Sequence, residues 1–267
     1  MHERGISRAP RLTLKPYEDC QTIVYFCKKT NNKGLGTTLS NLSNDKRITY
    51  AILLSGTDFF LTSREPDLTL EKYGLDILEK SKLYTSMYTI PQGWNTPMNE
   101  ALDNLATITL RKSVLPRTAY YHFSWSELDW KIFDIMSENV RTKISHVAKK
   151  TGVDYKTAKD HFFNVVLPSC VIAHYFYPKG YDFYLQSFIK VRSEYESEIV
   201  KALKKLPCTS YVFPLGKELV INLFHENQKK VIKILEKMEE KTIIDGFLLY
   251  APLYYICPDF QTSEEDK

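Results

Sequence analysis

The chain has 267 residues, 43% hydrophobic and 25% charged, a globular balance with length enough for more than one core. No run of about 18 apolar residues occurs, and the opening MHERGISRAP lacks an apolar leader, so neither a membrane span nor a signal peptide is expected. A net charge of +4 gives no overall sign of a nucleic-acid partner, and five scattered cysteines without a CxxC pair predict buried thiols in a reducing cytoplasm.

From Cys20 the chain reads CQTIVYFCKK as a strand, GLGTTLSNLSND as a short helix, and ITYAILLSG with DFFLTS as a hairpin about Gly56. LTLEKYGLDILEKSK then reads as a helix and LYTSMYTIP as a strand. Gly34-Leu35-Gly36 is too short for a phosphate cradle and eases the start of the first helix. Met98, Leu102, Leu105 and Ile108 recur at helical spacing and predict a connecting helix over Pro97–Lys112, ending before Pro116.

SELDWKIFDIMSENVRTKISHVAKKTGVDYKTAKDHFF predicts three short amphipathic helices. Ser126 and Asp129 cap the first, which turns Leu128, Ile132, Ile135 and Met136 inward; Ile144, Val147 and Ala148 do so on the second, and Ala158, Phe162 and Val165 on the third. None of these helices is long enough to stand alone, so the three stripes must bury one another. Ala148 is the small residue where two helices cross, Gly152 is free to take positive φ at the turn, Val153 plugs the core and Asp154 caps the third helix. CVIAHYFYP follows as a wing or linking strand, so the segment reads as a winged helix-turn-helix.

The C-terminal part repeats the first pattern. YDFYLQSFIKV is a strand, SEYESEIVKALKKL a helix opened by Ser193 and Glu196, CTSYVFPL and ELVINLF a hairpin at Gly216, NQKKVIKILEKMEEK a helix, and TIIDGFLLYAPLYY a strand. Leu39 and Leu42 match Leu203 and Leu206, Gly56 matches Gly216, and ILEK at Ile77 matches ILEK at Ile234, as an internal duplication would give. The expected class is therefore α+β. Two ferredoxin-like βαββαβ domains, 17–95 and 179–258, flank a central winged helix-turn-helix domain at 124–178, with a linker helix in 96–123 and a disordered tail at 259–267.

Between Asn139 and Lys159 the bases Arg141, Lys143, Lys149, Lys150, Lys156 and Lys159 face the single acid Asp154, a basic island in a nearly balanced chain. On the third helix Tyr155, Lys156, Thr157, Lys159 and His161 are the expected groove readers of duplex DNA, while Arg141, Lys143, Lys149 and Lys150 suit phosphates. Asp160 opposes this unless it faces away or pairs with Lys156.

The Leu128-Asp129, Lys131-Ile132, Arg141, Val147-Ala148, Gly152 and Thr157 pattern, followed by a linking strand and a ferredoxin-like repeat, resembles the Lrp/AsnC, or feast/famine, regulators. That resemblance covers Ser126 to Ile256 and, more weakly, the N-terminal repeat. It implies a DNA-binding transcription regulator, homodimeric through the ferredoxin-like domains, with a small-molecule effector and with neither cofactor nor enzymatic activity. The family's effector loops correspond to GTDFF and GKELV, shorter here, which marks Gly56, Thr57, Asp58, Gly216, Lys217 and Glu218. Residues 1–16 resemble the end of a winged domain, so they are expected to be a remnant wing or linking strand of a longer ancestral unit. An alternative comes from siroheme decarboxylases, which resemble the same scaffold; His122, His174, Tyr121, Tyr175 and Arg192 could then serve a tetrapyrrole. A third reading is an interaction subunit that does not touch DNA.

Overall fold

The structure is a computed structural model, and it describes residues 5–19, 21–30, 34–120, 122 and 124–256. In chain order its elements are β1 (Arg11–Leu14), β2 (Ile23–Lys29), α1 (Leu35–Asn44), β3 (Ile48–Leu54), β4 (Asp58–Ser63), β5 (Leu75–Lys82), β6 (Met87–Tyr88) and α2 (Met98–Asp103). Then follow α3 (Glu127–Ser137), α4 (Ile144–Thr151), α5 (Tyr155–His161), β7 (Cys170–Ala173), β8 (Leu185–Val191), α6 (Glu196–Leu203), β9 (Tyr211–Leu215), β10 (Glu218–His225), α7 (Gln228–Glu240), β11 (Phe247–Tyr250) and β12 (Pro252–Ile256). The protein is thus of the mixed α+β class. The described residues divide into two compact units, one within 5–19 and 84–248 and the other within 21–83 and 249–256.

The sheet of the larger unit runs β11-β8-β10-β9-β6, and that of the smaller runs β12-β3-β4-β2-β5. Within each repeat the four strands stand in the order fourth, first, third, second, as a βαββαβ chain of ferredoxin-like type requires. The fifth strand of each sheet comes from the chain that follows the other repeat: β6 succeeds β5 yet pairs with β9, and β12 succeeds β11 yet pairs with β3.

In the larger unit α7 starts at Asn227, whose side chain accepts from Lys230 N at 3.1 Å, and buries Val231, Ile234, Leu235 and Met238. Those residues meet Ile199 and Leu203 of α6, Leu102 and Leu105 beside α2, and Ile189, Ile221 and Leu223 of the sheet around a purely apolar gap of about 10 Å³. A gap of that size and lining stays dry. In the smaller unit Leu42 of α1 packs on Tyr25, Leu53, Phe59 and Leu61.

Three sequence expectations fail. The helix predicted for LTLEKYGLDILEKSK is a 3-10 turn at Glu71–Tyr73, a left-handed Gly74 at φ 75°, and strand β5. β2 is buried for most of its length, so its outer edge needs partners for its backbone groups, and β5 supplies them. Ile77 and Leu78 consequently point outward, 38% and 61% exposed, and the ILEK match to the buried Ile234 and Leu235 is a coincidence. The predicted Pro97–Lys112 helix ends after α2 and a 3-10 turn at Asn104–Thr107. Beyond it the chain is extended because tertiary bonds claim its backbone: Ser113 N donates to Glu194 O, and Leu115 N to the Glu196 carboxylate, both at 2.8 Å. Ser193 is not the cap of α6, since its hydroxyl donates to Ile243 O at 2.6 Å and Tyr195 holds the cap position.

Candidate functional site

The segment α3–α4–α5 folds on local instructions that the structure displays. Ser126 and Asp129 form a reciprocal capping box on α3. Asn139 makes the next turn, accepting from Arg141 N at 3.0 Å, and Gly152 closes α4 at φ 75° with its N–H on Ala148 O at 2.9 Å. Asp154 caps α5, accepting from Thr157 N at 3.0 Å and from the Thr157 hydroxyl at 2.6 Å, and these bonds hold its carboxyl below the usual carboxylate range. Ile132, Met136, Val147, Ala148, Ala158, Phe162 and Val166 form the core, joined by Leu12 of β1 and Cys170 of β7. The helix continues past α5 as a π turn at Phe162–Val166, and this wider turn puts Val166 inward where a helical count had put Val165.

Arg141, Lys143, Lys149, Lys150, Lys156 and Lys159 are all exposed, and none is paired with a carboxylate among the described residues. Tyr155 is 55% exposed on the same helix. Asp160 is exposed as well and makes no ion pair with Lys156. Two expected readers are otherwise engaged. The Thr157 hydroxyl belongs to the Asp154 cap, and His161 Nδ1 lies 2.8 Å from Asp129 Oδ1, fastening α5 to α3. Burial opposes the charge on Asp129, but bonds from Ser126 and His161 outweigh it and hold the carboxyl below its ordinary range. Phe163, 48% exposed just beyond α5, is a further surface residue of this helix that spacing alone assigned to no role.

The positions marked for an effector sit in tight turns. Gly56 and Thr57 take φ 83° and 64° between β3 and β4, and the Thr57 hydroxyl donates to Gly56 O at 2.6 Å, next to the half-buried Asp58. Gly216 O accepts from Arg117 Nε at 2.6 Å and Glu218 O from Arg117 Nη2 at 3.1 Å, while Lys217 is exposed. The Glu218 carboxylate lies 2.7 Å from Lys190 Nζ, and both line an open hollow of about 260 Å³ with Arg192 and Asp245. Arg192 lines that hollow, whereas His174 and Tyr175, which follow β7, do not. His174 is half-buried, and burial together with Arg141 pushes its pKa down, so it is neutral near pH 7. Burial pushes the Tyr175 hydroxyl up, and its ring meets Tyr88 at 6.1 Å. His122 is exposed, and Tyr121 lies outside the described residues.

Fold and site together define an α+β protein with two ferredoxin-like sheets and a helix-turn-helix segment bearing unpaired cations. No protein-family model and no curated protein matches the chain. Among solved structures it is similar to the siroheme decarboxylase NirDL, at TM-score 0.56 and 10% identity, over 95% of this chain and 78% of that one. The same enzyme in co-complex with an iron-uroporphyrin III analogue matches at TM-score 0.52 and 9% identity over the same shares. Identities this low speak for the fold. They also correct one expectation: a protein without enzymatic activity was anticipated, whereas both matched structures with this fold are of an enzyme. Among the described residues no helix is long and apolar enough to cross a membrane.

Proposed function

We propose that this protein is a DNA-binding transcription regulator whose α4–α5 pair docks on duplex DNA. The observation that carries the reading is the set of six exposed cations without carboxylate partners on and beside two short helices. Unpaired surface cations at this density repel one another, and phosphates relieve that repulsion while releasing counterions. Tyr155, Lys156 and Lys159 project from α5 toward a groove; Arg141, Lys143, Lys149 and Lys150 reach the backbone. Thr157 and His161 act by positioning α5. One such helix offers few base contacts, so the working form is a homodimer with two helix pairs, and a small-molecule effector acts through the ferredoxin-like repeats. The test is duplex binding by fluorescence anisotropy across a salt series. Lys156→Ala/Lys159→Ala is expected to weaken binding and to lower the salt slope by up to about 1.8, about 0.9 for each phosphate no longer neutralised; unchanged binding refutes the assignment.

The fold shared with siroheme decarboxylase NirDL favours a second reading, in which the chain acts on a tetrapyrrole. His174, neutral beside Arg141, is suited to accept a proton, and arginines nearby are suited to hold carboxylates. A Soret shift on titration with iron-uroporphyrin tests it, and an unshifted spectrum at saturating protein excludes it.

A further inference from the structure

Between positions 139 and 169 the chain carries two acids, Asp154 and Asp160. Asp154 is engaged within the fold, where it caps α5 through Thr157. Asp160 is not. It stands exposed in the last turn of α5, four residues after Lys156 and next to Lys159, with no hydrogen bond or ion pair among the described residues. Helical phase keeps it there: Ala158, Phe162 and Val166 are buried, while Tyr155, Lys156, Lys159, Asp160 and Phe163 recur along the exposed side. Lys156 and Asp160 are thus neighbours on one face, about 6 Å apart along the helix. With the cation first, an i,i+4 pair has the less favourable order, and the two groups make no ion pair. A donor and an acceptor are left free side by side.

An acid on this face opposes docking driven by charge alone, since it repels the phosphates that Lys156 and Lys159 attract. A base edge is a different partner. In the major groove guanine presents N7 and O6 and thymine presents O4, all acceptors, and adenine sets its N7 acceptor beside the N6 donor. Cytosine presents the N4 amino donor without an adjacent acceptor. A carboxylate, which only accepts, matches the cytosine edge and is opposed by the others.

We infer that Asp160 is a specificity-determining residue of α5, accepting from the N4 amino group of a cytosine in the major groove. The inference rests on the DNA-binding reading above. The acid that weakens attraction to phosphates in general then selects where on a duplex α5 docks.

The experiment selects bound sequences from a pool of random duplexes with the full chain, then exchanges each base pair of the best duplex in turn and reads affinity by anisotropy. With the wild type, exchanging the cytosine read by Asp160 is expected to weaken binding about 5- to 150-fold. With Asp160→Ala that difference is expected to vanish, while affinity for unselected duplex rises because a charge that repels phosphates has gone. Asp160→Asn is expected to move the preference toward adenine, whose N6 and N7 pair with an amide. Wild-type preferences kept at every position by both variants, with Lys156→Ala/Lys159→Ala still weakened, overturn this inference and leave the DNA reading standing. A gain in affinity that is uniform across sequences reduces Asp160 to repulsion of phosphates and also overturns it, as does a wild type that enriches no sequence. No duplex binding by the wild type removes both. Asp160 is exposed, so an unchanged urea midpoint, read from Trp125 and Trp130, shows that the variants fold.

Discussion

Asp129→Asn is the sharpest probe of how α5 is held. The carboxylate is 3% exposed and accepts from Ser126 N at 2.8 Å, Ser126 Oγ at 2.6 Å and His161 Nδ1 at 2.8 Å. Hydrogen bonds to a charged group contribute about 1.5–3 kcal/mol each, and an amide can replace only some of them because its NH₂ meets donors. A loss of about 2–3 kcal/mol follows, since part of the site rearranges. Trp125 and Trp130, with ring centroids 4.9 Å apart in the same segment, report its unfolding by fluorescence. With a urea slope of about 1–3 kcal/mol per molar, the midpoint falls by about 0.7–3 M. The sign with pH is fixed by the depressed carboxyl. Its stabilisation is complete above the unfolded value near 3.9 and is lost as pH falls through the lower folded value, so wild type and variant converge in acid. A variant within about 0.5 kcal/mol of wild type at pH 7 would refute the claim that Asp129 anchors α5.

Asp154→Ala removes the cap of α5 and is expected to cost about 1 kcal/mol, read by the same fluorescence, with a loss of duplex affinity as α5 frays. Gly152→Ala meets no atom within 4 Å, so its cost, about 1–2 kcal/mol, comes from φ 75° alone. Leu78→Lys is expected to change stability by no more than about 0.5 kcal/mol, because Leu78 faces outward from β5. Had the segment been a helix in register with α7, that position would be inward, and urea unfolding would show a cost of about 2–5 kcal/mol.

The sequence was most legible where local chemistry decides the outcome. The capping box at Ser126, the left-handed Gly152, the Asp154 cap and the buried stripe of α7 are all written in neighbouring residues. It misled where a distant partner outweighs local spacing. Residues 75–82 have helical periodicity, yet the open edge of β2 draws them into a sheet. Glu196 reads as half of a capping box, yet its carboxylate, 1% exposed, binds Arg117 Nη1 at 2.6 Å and Nη2 at 2.5 Å. The same holds for the site. Exposure of Lys149, Lys150, Lys156 and Lys159 follows from helical phase, whereas the engagement of His161 with Asp129 depends on residues far apart in sequence.

The two functional readings share their anion donors, so only residues that one ligand can use and the other cannot will separate them. Arg141 suits a phosphate or a tetrapyrrole carboxylate equally. Lys156 and Lys159 do not, because both stand exposed on α5, and neither described hollow, in the α6–α7 core or beside Lys190, is lined by α4 or α5. A flat macrocycle gains affinity by burying both faces in a concavity, whereas a duplex presents a groove wide enough for a projecting helix. Lys156→Ala/Lys159→Ala is therefore expected to lose duplex binding and to leave any Soret shift with iron-uroporphyrin intact. Loss of the porphyrin signal with duplex binding unchanged would reverse the assignment of α5 and favour tetrapyrrole chemistry for the whole surface.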